Sequence, residues 1–193
     1  MNVKRHVFIP LVALAVLAMA PAVSMAGDDT SGQADADNLV YMDLKDGRVT
    51  IILRPDLAPR HVERIKTLVR EGFYDGIAFH RVIAGFMAQT GDPTGTGRGG
   101  SRYEDLPAEF SDTPFKRGTL GMARTQDPDS ANSQFFICFA DAPFLNGQYT
   151  VFGEVVDGMD SVDRIKKGDP RSGAVDQPDV IVKMRMAGDI IDK

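Results

Sequence analysis

The sequence predicts a mainly β fold, an antiparallel sheet closed into a barrel with two helices covering its ends. Three observations point there. Short runs of apolar and β-branched residues recur along the chain, and only two segments carry a helical apolar period, one near each end. The 19 glycines and 11 prolines supply punctuation for many turns. Closure removes exposed strand edges, so a barrel suits a chain of many short strands. A length of 193 residues fits one domain with a substantial core. With 43% hydrophobic and 25% charged residues the composition is globular, which excludes collagen, coiled-coil and disordered classes.

The first segment is of another kind. Lys4 and Arg5 form a basic head, and Val7 to Ala20 is almost wholly apolar. Small residues follow, with Ser24 and Ala26 at the −3 and −1 positions of a cleavage site before Gly27. This is the plan of a secretory signal peptide over residues 1–26, and the expected destination is the periplasm. The apolar run is short for a bilayer span, so no stable membrane anchor is expected. Residues 27–38 are small, polar and acidic and read as a flexible leader, placing the folded domain at 39–193. Without Lys4 and Arg5 the chain has 20 basic and 27 acidic residues, a net charge of −7. That balance argues against nucleic acid as a partner. Cys138 is the only cysteine, so no internal disulfide can form. Within Gln134–Phe139 it reads as a buried, unreactive strand thiol.

Order is expected from Leu39. Leu39 to Lys45 and Arg48 to Arg54 are strand-like runs separated by Asp46-Gly47, a hairpin signal. Pro55 stops the second run. A helix follows from Ala58 to Glu71, with Pro59 in its first turn and Ala58, Val62, Ile65, Leu68 and Val69 as its apolar stripe. Gly72 ends it. Strands are expected at 78–82, 86–90, 119–124, 135–139 and 150–156. A second helix is expected from Met159 to Lys167, and Val180 to Met186 alternates as a closing strand.

Three motifs carry more than a fold class. They are Phe79-His-Arg-Val-Ile-Ala-Gly-Phe-Met-Ala-Gln-Thr-Gly-Asp92, Ser133-Gln-Phe-Phe-Ile-Cys138 and Phe144-Leu-Asn-Gly-Gln-Tyr-Thr-Val-Phe-Gly153. In this order and spacing the chain resembles the cyclophilin family over nearly all of residues 39–187. The resemblance implies an eight-stranded antiparallel β-barrel capped by two α-helices. It also implies peptidyl-prolyl cis-trans isomerase activity without a cofactor, and a monomer acting on proline-containing peptides and on unfolded or folding proteins.

By the same resemblance Arg81 is the catalytic cation, and Gln89 holds substrate backbone and orients the arginine. Phe86, Met87, Phe136 and Leu145 match the apolar slot for the proline ring. Gln134 matches a second polar wall residue, Ala123 and Arg124 match the segment that pairs with the bound peptide, and Gly95 lies near a loop glycine bordering the neighbouring pocket. Phe144 stands where many members carry tryptophan, which donates an indole N–H to cyclosporin, so weak cyclosporin binding is expected. Tyr149 occupies a place that is often histidine and still borders the pocket. Arg124-Thr125 replaces a more usual Asn-Ala pair, so sequence preference around proline is expected to shift.

Isomerisation needs no proton abstraction, and alternation points His80 away from Arg81, so His80 reads as structural. Three scattered histidines offer no metal cluster. Gly95-Thr-Gly-Arg-Gly-Gly100 satisfies G-x-G-x-x-G, but no apolar helix follows it, and a glycine-rich surface loop is the expected form. The rival to an isomerase is a proline-peptide-binding module or chaperone with vestigial catalysis. The presence of Arg81, Phe86, Met87 and Gln89 together favours the enzyme.

Overall fold

A computed structural model describes Met1 and residues 36–191. The expected signal peptide and most of the leader lie outside the described residues. Among the described residues there are eight strands, β1 Leu39–Leu44, β2 Gly47–Leu53, β3 Arg81–Ile83 and β4 Met87–Thr90, then β5 Thr119–Met122, β6 Phe135–Cys138, β7 Val151–Asp157 and β8 Lys183–Met186. They form one antiparallel sheet in the order β3-β4-β6-β5-β7-β2-β1-β8. All eight fall within a few residues of the expected runs.

The sheet curls into an open half-barrel, which corrects the expected closed barrel. β3 and β8 are its unpaired ends. The segment 173–182 lies along this seam and forms no continuous ladder there: it makes isolated bridges, Ala78 with Val180 and Arg81 with Ala174, and single backbone bonds such as Val182 N–H to Asp43 O. The physical reason is local. Gly173 at φ 76°, Gln177 at φ 50° and Pro178 break the extended geometry that a continuous ladder requires.

The first hairpin also differs by one residue from its expected turn. Leu44 pairs with Gly47, so Lys45-Asp46 forms the centre, and Gly47 carries the positive φ of 141°. A side chain at position 47 would also meet Ser161 Oγ at 2.7 Å.

The helix α1, Pro59–Arg70, lays His61, Val62, Ile65, Leu68 and Val69 on the core. It ends in a Schellman arrangement, with Phe73 N–H donating to Leu68 O and Gly72 N–H to Val69 O. The helix α2, Met159–Asp163, is shorter than its apolar period suggests. The chain leaves the helix so that Gly168 N–H reaches Val82 O at 2.9 Å. A last short helix, α3 at Gly188–Ile191, has no counterpart in the expectation. Both expected helices are therefore present among the described residues, the second shortened.

The core follows from strand alternation. β1 buries Val40, Met42 and Leu44, and β2 buries Val49, Ile51 and Leu53. These meet α1, Phe135, Ile137, Phe152, Met184 and Met186 inside the curl. Each such side chain, fully buried, contributes about 1.5–3 kcal/mol. A second cluster of Met87, Phe115, Phe136, Cys138, Ala142, Leu145 and Val151 lies on the other face of β4 and β6. The site is built on that face.

Candidate active site

Register places the chemistry. β3 and β4 set Arg81 opposite Gln89, while β4 and β6 set Gln89 opposite Phe136 and Met87 opposite Cys138. Residues two apart share a face, so Arg81, Met87, Gln89 and Phe136 are brought together on one side of the sheet. Gly121 of β5 lies opposite Phe136 and leaves room for its ring. A Cβ at 121 would stand 2.5 Å from Phe136 Cζ and 2.6 Å from Phe115 Cε1.

The other wall comes from the 3-10 turn Pro143–Leu145 and the residues just after it. Phe144 approaches Phe86 with ring centroids 5.2 Å apart, and Tyr149 meets Phe136 edge-on at 5.8 Å. Together these residues line a cavity of about 400 Å³. Its lining comprises Arg81, Gln89, Ala123, Arg124, Phe86, Met87, Phe136, Phe144, Leu145, Gln148 and Tyr149.

Arg81 is fixed at this cavity by neutral groups. Nη1 donates to Gln89 Oε1 at 3.2 Å and lies 3.9 Å from Met87 Sδ, and Nε donates to Ser172 O at 3.3 Å. None of these contacts cancels the guanidinium charge. Gln89 Nε2 in turn donates to Gln134 Oε1 at 2.9 Å, and Gln134 Nε2 to Gly99 O at 2.8 Å. The cation is thus oriented by a chain of amides reaching into the glycine-rich loop.

That loop borders a second cavity of about 410 Å³, which shares Gln89, Ala123 and Arg124 with the first. Ten of the eleven residues expected at the site line the first cavity, and Gln134 lines the second. Gly95 lines neither. The glycines at the second cavity are Gly97, Gly99 and Gly100, because the loop folds around Asp92 and turns Gly95 outward. Gln148 was missed, since a polar residue after Asn146-Gly147 reads as plain turn. Its Nε2 donates to Phe144 O at 3.0 Å.

Asp92 organises the glycine loop. It accepts from Thr94 N–H and Oγ1, Gly97 N–H and Gly99 N–H. Burial alone would raise its pKa, but these donors prevail and hold the carboxyl at about 2. No helix follows Gly100, so the G-x-G-x-x-G run is a loop wound on a carboxylate. His80 does not line the cavity, and burial lowers its pKa below the ordinary 6.5. Burial pushes the Cys138 thiol up to about 12, leaving it unreactive. Among the described residues no three His, Cys, Asp or Glu side chains gather as metal ligands. No described helix is long and apolar enough to cross a membrane.

Comparison with known proteins gives one answer. The family model for cyclophilin type peptidyl-prolyl cis-trans isomerase matches residues 39–186. A probable peptidyl-prolyl cis-trans isomerase of Brucella suis is 59% identical over 180 residues, covering 87% of this chain and 92% of that protein. A peptidyl-prolyl cis-trans isomerase of Helicobacter pylori is 43% identical over 136 residues, covering 68% and 83%. Among solved structures, a cyclophilin from Hirschia baltica superposes with a TM-score of 0.71 at 30% identity, covering 79% of this chain and 74% of that one. A cyclophilin type isomerase of Cryptosporidium parvum, crystallised in the presence of the dipeptide Ala-Pro, gives 0.70 at 29% identity, covering 77% and 98%. The amide-held arginine beside an apolar cavity, the half-barrel beneath it and these likenesses agree, and the chain belongs to the cyclophilin-type peptidyl-prolyl cis-trans isomerases.

Proposed function

We propose that Arg81 is the catalytic group, that the cavity of Phe86, Met87, Phe136, Phe144, Leu145 and Tyr149 receives the proline ring, and that the enzyme assists protein folding in the cell envelope. Rotation about a peptide bond is slow because resonance gives C–N partial double-bond character, with a barrier of about 18–20 kcal/mol. X-Pro bonds still isomerise over tens of seconds or longer, slowly enough to limit folding. In the twisted state the prolyl nitrogen loses conjugation and gains a lone pair. A fixed cation that donates to that nitrogen stabilises the twisted state more than either planar ground state. Arginine suits this role because it is permanently charged and its donors form a rigid plane.

The observation that carries the reading is the 3.2 Å bond from Arg81 Nη1 to Gln89 Oε1 at the edge of the apolar cavity. It orients the donor without neutralising it. Gln89 and Gln134 hold the substrate backbone, and Ala123 with Arg124 borders the bound peptide. The basic head, apolar run and small residues of positions 1–26 support export to the periplasm. Cys138, buried and with its thiol pKa raised, fits an oxidising compartment.

The test is cis-to-trans conversion of a proline-containing reporter peptide, wild type beside Arg81→Ala. Loss of about 100- to 1000-fold in kcat/KM with an unchanged circular dichroism spectrum is expected. Equal rates in the two proteins would remove Arg81 from the mechanism. A folded wild type that binds the peptide without accelerating its isomerisation would establish a binding module instead.

A further inference from the structure

The wall shared by the two cavities includes one side chain whose charge nothing in contact with it cancels. Arg124 lines both cavities. Its Nη1 donates to Thr125 O at 2.8 Å and to Gln126 O at 3.3 Å, and its Nη2 donates to Gln148 O at 2.8 Å. The guanidinium lies over the Tyr149 ring, 4.5 Å from its centroid. Nε is buried without a hydrogen-bond partner and rests in this ring contact. Every partner is a carbonyl or an aromatic face, so the arginine is immobilised with its full positive charge. Such a group differs from an ordinary surface arginine, whose mobility and solvation dissipate its field.

The neighbouring cavity repeats the sign. Arg98 also lines it and is exposed. The carboxylate among its lining residues is Asp105, which accepts a bond from Asn132 Nδ2 at 2.9 Å. The lining of this cavity therefore carries two arginines and one carboxylate, which is already hydrogen-bonded.

We infer that Arg124 is a specificity-determining residue that makes the enzyme favour X-Pro sequences carrying an acidic side chain close to the proline. The inference rests on the first cavity being the proline site. With the ring seated there, the peptide's neighbouring side chains fall toward the second cavity, because the two cavities share Gln89, Ala123 and Arg124. Alternate residues of an extended peptide point the same way about 7 Å apart, so the side chain concerned lies within two positions of proline. Aspartate or glutamate there meets a fixed cation whose desolvation cost has already been met in the folded protein. Lysine or arginine there meets like charge.

The experiment compares matched reporter peptides carrying Glu, Gln or Lys in turn at each of the two positions on either side of proline. They are assayed with wild type, Arg124→Gln and Arg124→Lys at low and high salt. At one of these positions wild type should show a Glu-over-Lys ratio in kcat/KM of about two- to five-fold at low salt, shrinking as salt screens the pair. Arg124→Gln should bring the ratio toward one, and Arg124→Lys should retain part of it. A change in overall rate does not enter, because the readout is a ratio within one protein. A ratio unchanged in Arg124→Gln, or insensitive to salt in wild type, overturns the inference. Failure of the proline-site reading appears separately, as Gln-peptide turnover that does not depend on Arg81.

Discussion

Glu109 Oε2 lies 2.6 Å from His61 Nδ1, and the histidine is fully buried at the start of α1. The same carboxylate accepts the backbone N–H groups of Arg60 and His61, at 3.2 and 3.1 Å. Ala58 at the helix N-cap has no side-chain oxygen, so a residue 48 positions downstream from His61 completes the first turn in its place. Glu109 N–H in turn donates to Thr150 Oγ1 at 2.9 Å, which ties α1 to the entry of β7.

This arrangement makes stability depend on pH. Burial lowers the His61 pKa below its ordinary 6.5, although the Glu109 hydrogen bond and charge oppose that shift. Burial alone would raise the Glu109 pKa, but the bonds from the His61 ring and from the two backbone N–H groups hold it below 4.5. Both shifts act in one direction, because the unfolded chain takes up each proton at a higher pH than the folded one. Stability contributed by the pair is therefore full above about pH 6.5, begins to fall as the unfolded imidazole protonates, and falls further below about 4.5. Glu109→Ala should cost about 2–3 kcal/mol at neutral pH and remove the fall below about pH 4.5, while the fall from buried His61 below about pH 6.5 remains. Denaturant unfolding of the two proteins across pH 4 to 8 measures both effects, and parallel curves would show that Glu109 does not set the acid limb.

Gly121→Ala tests how the proline wall is made. Its backbone φ is not in the left-handed region, so the added methyl acts through space alone. It would stand 2.5 Å from Phe136 Cζ and must displace that ring toward the cavity or the Phe115 ring beside it. The expected outcome is a loss of about 1–3 kcal/mol in stability. KM for a proline peptide should rise more than kcat falls, since Arg81 and Gln89 are not touched. A fall in kcat at unchanged KM would mean that the Phe136 ring does not shape binding.

Cyclosporin reads out the position of Phe144. This side chain is 61% exposed at the cavity edge and carries no hydrogen-bond donor. Inhibition of the wild type by cyclosporin should be weak, and Phe144→Trp should strengthen it by up to about ten-fold, the worth of one added hydrogen bond. Nanomolar inhibition of the wild type would contradict this account.

Much of this is legible in the sequence. Short apolar and β-branched runs mark the strands: β1, β2 and β8 alternate because one face meets the core, β5 and β6 are continuous runs because both faces are buried, and the apolar stripe of Val62, Ile65, Leu68 and Val69 marks α1. Arg81, Met87 and Gln89 fall in one motif, and their shared face follows from a period of two. The hairpin turn was misplaced by one residue because Asp46 and Gly47 suit more than one turn, and only the pairing of Leu44 with Gly47 selects one.

What the sequence by itself determined is therefore local and periodic: the strands, the first helix, the punctuating glycines and the motif that carries the arginine. The tertiary structure decided whatever depends on distant segments meeting. It left the sheet open between β3 and β8, ended α2 at Asp163, and capped α1 with Glu109. It also placed Arg124 across the carbonyl of Gln148. Strand and helix periods arise from neighbours along the chain, whereas closure, remote capping and the shared wall of two cavities arise from packing between residues tens of positions apart, which no local pattern encodes.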